Sequence, residues 1–123
     1  NIAIKKDPRH SLSYFNRGLT KAAMKKPEDA IRDIDTAIKL DSKNHLFYNG
    51  KGVSQIALLQ YDEAIKNFQA TIKLKPDFGQ AYYNMGYAKM MGLKDRDGAC
   101  KDWETASRKG YKGALVYLDR YCK

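Results

Sequence analysis

Apolar residues recur at three- and four-residue spacing from Leu12 to Met24 and again from Asp29 to Leu40. That is the period of an amphipathic helix with one face turned inward. Near the C-terminus, Ala114, Leu115, Leu118 and Tyr121 or Cys122 form a further stripe, while Lys112, Asp119, Arg120 and Lys123 stay polar. Pro27 suits the first turn of a helix, where its missing N–H leaves nothing unsatisfied. The carboxylates of Glu28-Asp29 and Asp62-Glu63 suit first turns as well, because they face the positive end of the helix dipole. Gly110 is placed to end a helix in a left-handed cap. The pattern predicts an all-α chain.

The helical pattern also repeats. Tyr14-Phe15-Asn16-Arg17-Gly18 aligns with Tyr48-Asn49-Gly50-Lys51-Gly52 and with Tyr82-Tyr83-Asn84-Met85-Gly86, so the glycines at 18, 52 and 86 fall 34 residues apart. Twelve residues beyond the first two glycines stand Ala30 and Ala64, followed by Ile34 and Phe68, then Ala37 and Thr71. Ala99, Trp103 and Ala106 keep that internal spacing after a single inserted residue between Leu93 and Gly98. Glycine in mid-helix costs about 1 kcal/mol against alanine, so a glycine kept at one register three times needs a reason. Close approach of a partner helix, with Ala30, Ala64 and Ala99 as the small complementary surface, supplies one.

A period of this length is the signature of stacked helical hairpins. These residues resemble the tetratricopeptide repeat (TPR), whose unit pairs two antiparallel helices. The resemblance covers nearly the whole chain and implies a right-handed superhelical array. Its units are 11–44, 45–78 and 79–110, with 1–10 as the end of an upstream repeat and 111–123 as a capping helix. Ser42 departs from the family's usual Pro, as do Arg17 and Lys51 from its usual apolar residue. Units of this kind bury their apolar faces only by stacking. An open start therefore implies either more repeats upstream or pairing between copies.

The resemblance further implies a noncatalytic scaffold that binds other proteins along a concave face lined by the first helix of each unit. The family's usual contact positions fall here on Leu12, Phe15, Leu19, Ala22 and Ala23, then on Leu46, Asn49, Val53, Ile56 and Ala57. In the third unit they fall on Gln80, Tyr83, Tyr87, Met90 and Met91. Most are apolar or aromatic, which predicts a groove for an apolar or amphipathic peptide or helical segment. The small residues Ala22, Ala23 and Ala57 are expected to pack inside the stack instead. One TPR subclass clamps a C-terminal carboxylate with Lys, Asn and Arg. Its positions fall here on Phe15, Leu19, Gly50, Gln80 and Asn84, so the clamp's cations are missing and acidic chaperone tails are disfavoured as ligands.

Composition narrows the remaining classes. The chain has 123 residues, and 23 Lys and Arg against 14 Asp and Glu give 23 − 14 = +9. A basic nucleic-acid adaptor is one alternative and a self-association module another. Acidic and basic residues alternate along most of the chain, however, and the tyrosines sit at repeat positions, so nucleic acid is disfavoured. Arg17, Lys21 and Lys25 form one basic helical stripe that can pair with Asp33 and Asp35. No run of 18 apolar residues is present, which argues against membrane insertion. The chain starts with Asn and carries no leader-like pattern, so it reads as a piece of a longer protein or a mature form. His10 and His45 stand at unit boundaries without a catalytic motif. Asp95-Arg96-Asp97-Gly98 and Glu104 resemble part of a calcium loop, but Leu93 occupies its first ligand position. No enzyme activity and no cofactor are expected.

Cys100 and Cys122 are too few for a disulfide scaffold and lack zinc spacing. Cys100 lies near the start of the last repeat helix and Cys122 near the end of the capping helix. If those helices run antiparallel, the two can be bridged; two free thiols are the other reading. The segment from Ala99 to Cys122 also resembles the C-terminal end of bacterial envelope TPR proteins and, in part, Sel1-like repeats. That implies a periplasmic or secreted setting, with a cytoplasmic one as the alternative.

Overall fold

A computed structural model describes residues 8–123. Among them run seven α-helices: α1 (Pro8–Ala23), α2 (Pro27–Leu40), α3 (His45–Ala57), α4 (Tyr61–Leu74), α5 (Gly79–Leu93), α6 (Arg96–Arg108) and α7 (Ala114–Tyr121). Helices α1 and α2, α3 and α4, and α5 and α6 form three hairpins, and α7 packs on α6. Helix α1 is described from Pro8 onward, so residues 8–10 are helical. The rest of the expected upstream end, residues 1–7, lies outside the described residues. The C-terminal helix α7 is shorter than the expected 111–123, running from Ala114 to Tyr121.

Local chemistry sets the helix ends. Pro27 opens α2 with Glu28 and Asp29 behind it in the first turn. The Asn44 side chain accepts a hydrogen bond from the Leu46 N–H at 3.0 Å and caps α3. Asp95 caps α6 by accepting from the Gly98 N–H at 2.9 Å, so the calcium-like stretch is a helix start. Each hairpin turns through one residue in the left-handed region: Lys25 (φ 63°), Leu59 (φ 61°) and Lys94 (φ 55°). These too stand in the 34-residue register, plus the one inserted residue. None is glycine, so each carries steric strain from its Cβ.

The core lies between the hairpin helices and continues from one hairpin to the next. Phe15, Ile34, Ala37 and Phe47 pack together across α1, α2 and α3. Ala64, Ile65, Phe68, Met85 and Ala88 join α4 to α5. Ala99, Trp103, Ala106 and Ala114 join α6 to α7. The repeated glycines explain how the helices come so close. A Cβ on Gly52 would stand 2.5 Å from the Phe68 ring, and one on Gly86 would stand 2.7 Å from Trp103 Nε1. One on Gly18 would meet the Ala30 carbonyl and Ile34 at 3.0 Å. The glycine therefore makes room for the large residue at one register (Ile34, Phe68, Trp103), and the neighbouring alanine contributes backbone as much as a small side chain.

Candidate functional site

Three adjoining depressions line the inner face of the first helices. The first, about 340 Å³, is bounded by Phe15, Leu19, Ala22, Leu46, Asn49, Gly50, Val53, Ser54 and Gln80. The second, about 280 Å³, is bounded by Val53, Ile56, Tyr83, Asn84 and Tyr87. The third, about 350 Å³, is bounded by Ala22, Lys25, Pro27, Val53, Ser54 and Ala57. Val53, 44% exposed, borders all three and marks the centre of the groove. No carboxylate lines any of them, and Lys25 is their charged residue.

Most of the positions expected from the repeat register meet here. Leu19, Leu46 and Val53 expose apolar surface, while Phe15 is only 8% exposed and its ring packs tilted against Phe47 at 4.9 Å. Leu12 is exposed but borders none of these depressions, and Met90 packs against the Trp103 cluster instead. Tyr83 has a double attachment. It lines the groove, yet its ring lies 5.0 Å from Tyr111 and 5.2 Å from Tyr117, so α7 covers part of it. Burial among these rings, with the Tyr117 hydroxyl second, pushes the Tyr83 phenol well above its ordinary pKa. Tyr87 faces Tyr117 at 6.4 Å. The aromatic end of the groove is thus a joint product of α5 and α7.

Two small residues correct the sequence reading. Ala22 and Ala57, expected to pack inside the stack, border the groove. Their size is what opens it. Ser54 and Asn84 were absent from the expected contact set, yet both border it while nearly buried, at 3% and 9% exposure. Asn84 Nδ2 donates to Asn49 Oδ1 at 3.1 Å across the floor between α3 and α5. The clamp positions Phe15, Leu19, Gly50 and Gln80 surround one depression and bring no cation to it.

Polar pairs inside the hairpins hold this surface in place. Arg17 donates from Nε to Asp33 Oδ2 at 2.9 Å and from Nη2 to Oδ1 at 2.7 Å, and Lys21 Nζ adds a 3.2 Å contact. Together they hold the Asp33 carboxyl below its usual range: the Arg17 hydrogen bonds act most, and burial opposes them. Lys51 pairs with Asp35 at 2.7 Å, which ties α3 to α2. Asn67 Nδ2 donates to Gln55 Oε1 at 2.6 Å, and Lys89 Nζ lies 2.9 Å from Asp102 Oδ2. Positions 21, 55 and 89 therefore meet 33, 67 and 102, one pair per hairpin at the repeat spacing. Burial raises the Asp102 pKa, an effect that Lys89 only partly offsets. The His45 ring meets Phe78 edge-on at 4.8 Å, and its burial lowers its pKa. At the far end Cys100 and Cys122 form a disulfide with Cα atoms 5.8 Å apart.

A tetratricopeptide-repeat model matches residues 12–44, and a TPR-repeat model matches residues 60–92. The chain carries tetratricopeptide repeats. Among solved structures, the TPR array is similar to the first TPR of Spaghetti (RPAP3) bound to the HSP90 peptide SRMEEVD. That match has 19% sequence identity and a TM-score of 0.88, covering 94% of this chain and 93% of that one. The second TPR domain of human RPAP3, in complex with the HSP70 peptide SGPTIEEVD, matches at 26% identity and a TM-score of 0.85, covering 95% and 99%. MamA matches at 28% identity and a TM-score of 0.78, covering 89% of this chain and 63% of that one. No curated protein matches the sequence.

Proposed function

We propose that this TPR array is a noncatalytic scaffold that captures a peptide segment of a partner protein in the groove centred on Val53. The observation that carries the reading is the continuity of the three depressions through one exposed apolar side chain. Contiguous exposed apolar surface of this kind usually marks an interaction site. The peptide complexes of the two RPAP3 domains lend the same reading weight. Recognition here would differ from a carboxylate clamp, because Phe15, Leu19, Gly50, Gln80 and Asn84 offer no cation to a chain terminus. The Cys100–Cys122 bond supports an oxidising setting such as the periplasm or the cell exterior.

Val53→Glu tests the groove, since it puts a charge at the centre without touching the core. Affinity capture with the wild-type array as bait should enrich partners that the variant loses, while both proteins melt alike. Equal capture by the two would refute the proposed face. Val53 is a cleaner probe than Tyr83, whose removal would also loosen α7.

A further inference from the structure

The two edges of the stack, where the helices end, carry unequal charge. Three linking segments, 39–45, 73–79 and 108–114, run from the end of a hairpin's second helix to the start of the next helix. Contacts between them draw them to one edge. His45, opening α3, meets Phe78 before α5 at 4.8 Å, and a Cβ on Gly79 would stand 3.1 Å from the Tyr111 Cβ. These segments hold Lys39, Lys43, Lys73, Lys75, Arg108, Lys109 and Lys112 against Asp41 and Asp77, so 7 − 2 = +5. All seven cations are exposed. The turns at the opposite edge, 21–29, 55–63 and 89–98, hold six cations and six carboxylates. More than half of the chain's +9 therefore sits on one edge, while the other is neutral.

The cations also differ in what holds them. On the neutral edge Lys21, Lys89 and Arg96 are engaged by Asp33, by Asp102 and by the carbonyls of Tyr121 and Lys123. On the basic edge, among the described residues, only Lys75 makes an ion pair, with Asp77 at 3.5 Å. The helix dipole favours Lys39, Lys73 and Arg108 in last turns, but Lys43, Lys75, Lys109 and Lys112 lie beyond them. Self-repulsion among these cations is a cost that an anionic partner relieves.

We propose that this edge docks peripherally on an anionic lipid bilayer. Six of the seven cations are lysines, whose hydrated point charges suit a diffuse field of headgroups. Bidentate capture of one carboxylate or phosphate favours arginine instead. The rings nearby are already engaged: His45 packs on Phe78, Tyr111 on Tyr83, and Lys109 covers Tyr82 at 5.8 Å. Stacking bases find no row of open ring faces there, which disfavours a nucleic-acid strand. Close after Lys112, Leu115 and Val116 in the first turn of α7 are 52% and 58% exposed. They supply the apolar second signal that holds a polybasic surface on a membrane. No described helix is long and apolar enough to cross the bilayer, so the array meets it with its helices end-on.

The test is flotation of the intact chain with vesicles of pure phosphatidylcholine and of phosphatidylcholine with about one-quarter phosphatidylglycerol. Binding is expected on the anionic vesicles alone, falling at least tenfold when salt rises from about 0.05 to 0.5 M. Two triple variants remove equal charge. Lys43→Glu with Lys73→Glu and Lys112→Glu alters the basic edge; Lys26→Glu with Lys66→Glu and Lys94→Glu alters lysines away from it. The first should bind at least tenfold more weakly and the second less than threefold, both remaining helical by circular dichroism. Lys43→Gln with Lys73→Gln and Lys112→Gln replaces the first if that variant does not fold. Leu115→Ser with Val116→Ser should weaken binding at least threefold. Absence of binding to anionic vesicles, indifference to salt, or equal loss in the two triples overturns the proposal. So does a single-stranded RNA oligonucleotide that binds more tightly than the vesicles and needs the same three lysines. If the serine variant binds as wild type does, the apolar component is overturned.

Discussion

Buried polar residues in this molecule differ in what their removal should cost. Lys89→Met leaves the Asp102 carboxylate in a largely buried site without its cation, and should destabilise the array by about 2 kcal/mol. Adding Asp102→Asn should restore much of the loss, because an amide needs no counter-charge. Arg17→Ala should move the urea midpoint far less, since Lys21 still faces Asp33 and Arg17 is exposed. Urea midpoints at unchanged slope would rank the three. Leu59 presents the opposite case. Its side chain is 71% exposed and its backbone left-handed, so Leu59→Gly should stabilise by about 0.5–1 kcal/mol. Gly86→Ala should instead destabilise by about 1–2 kcal/mol. Trp103, held by its 3.2 Å hydrogen bond to the Tyr83 carbonyl, cannot step away from a new Cβ, and the gain in helix propensity offsets only part of that clash.

At the level of elements, α7 is the helix with the fewest buried residues of its own, and the structure fastens it in two further ways. The Cys100–Cys122 bond ties its end to the start of α6, where Arg96 also donates to the carbonyls of Tyr121 at 2.6 Å and Lys123 at 3.3 Å. The bridge spans 22 residues, a loop worth about 3 kcal/mol in the chain-entropy account. Cys100→Ser with Cys122→Ser should cost about that much. It should also lower hydrogen-exchange protection in α7 before the hairpins, and change the emission of Trp103, which Tyr117 and Tyr121 flank.

The helices themselves were legible because amphipathic period and 34-residue register agree. Pro27 with Glu28-Asp29, and Asp62-Glu63, supply local signals at two of the starts. Other features were hidden for identifiable reasons. Gln55 and Asn67, or Lys89 and Asp102, each look like ordinary surface residues until the register lays them opposite one another. Ala22 and Ala57 read as packing residues because small side chains serve both a tight interface and an open channel. Tyr83 falls on a groove position, and nothing in the repeat hints that Tyr111, before α7, and Tyr117, within it, cover it. Asn84 falls on a clamp position that lacks its cation, and nothing in the sequence sets it against Asn49.

Across the whole molecule, the pairs 21/33, 55/67 and 89/102 make the three hairpins respond differently to protons. Asp33 has a depressed pKa when folded, so its contribution is complete above the ordinary aspartate value near 4 and fades as pH falls through the lower folded value. Asp102 has a raised one, so the folded form takes up a proton more readily than the unfolded form, and stability at that site grows as pH drops through the raised value toward about 4. Gln55 and Asn67 carry no charge and stay indifferent. Hydrogen exchange at successive pH values should therefore show α1 and α2 losing protection under acid relative to α5 and α6; a uniform loss would contradict the assignment. Acidity would then choose which end of the stack frays first, with the uncharged Gln55–Asn67 pair between them taking no part.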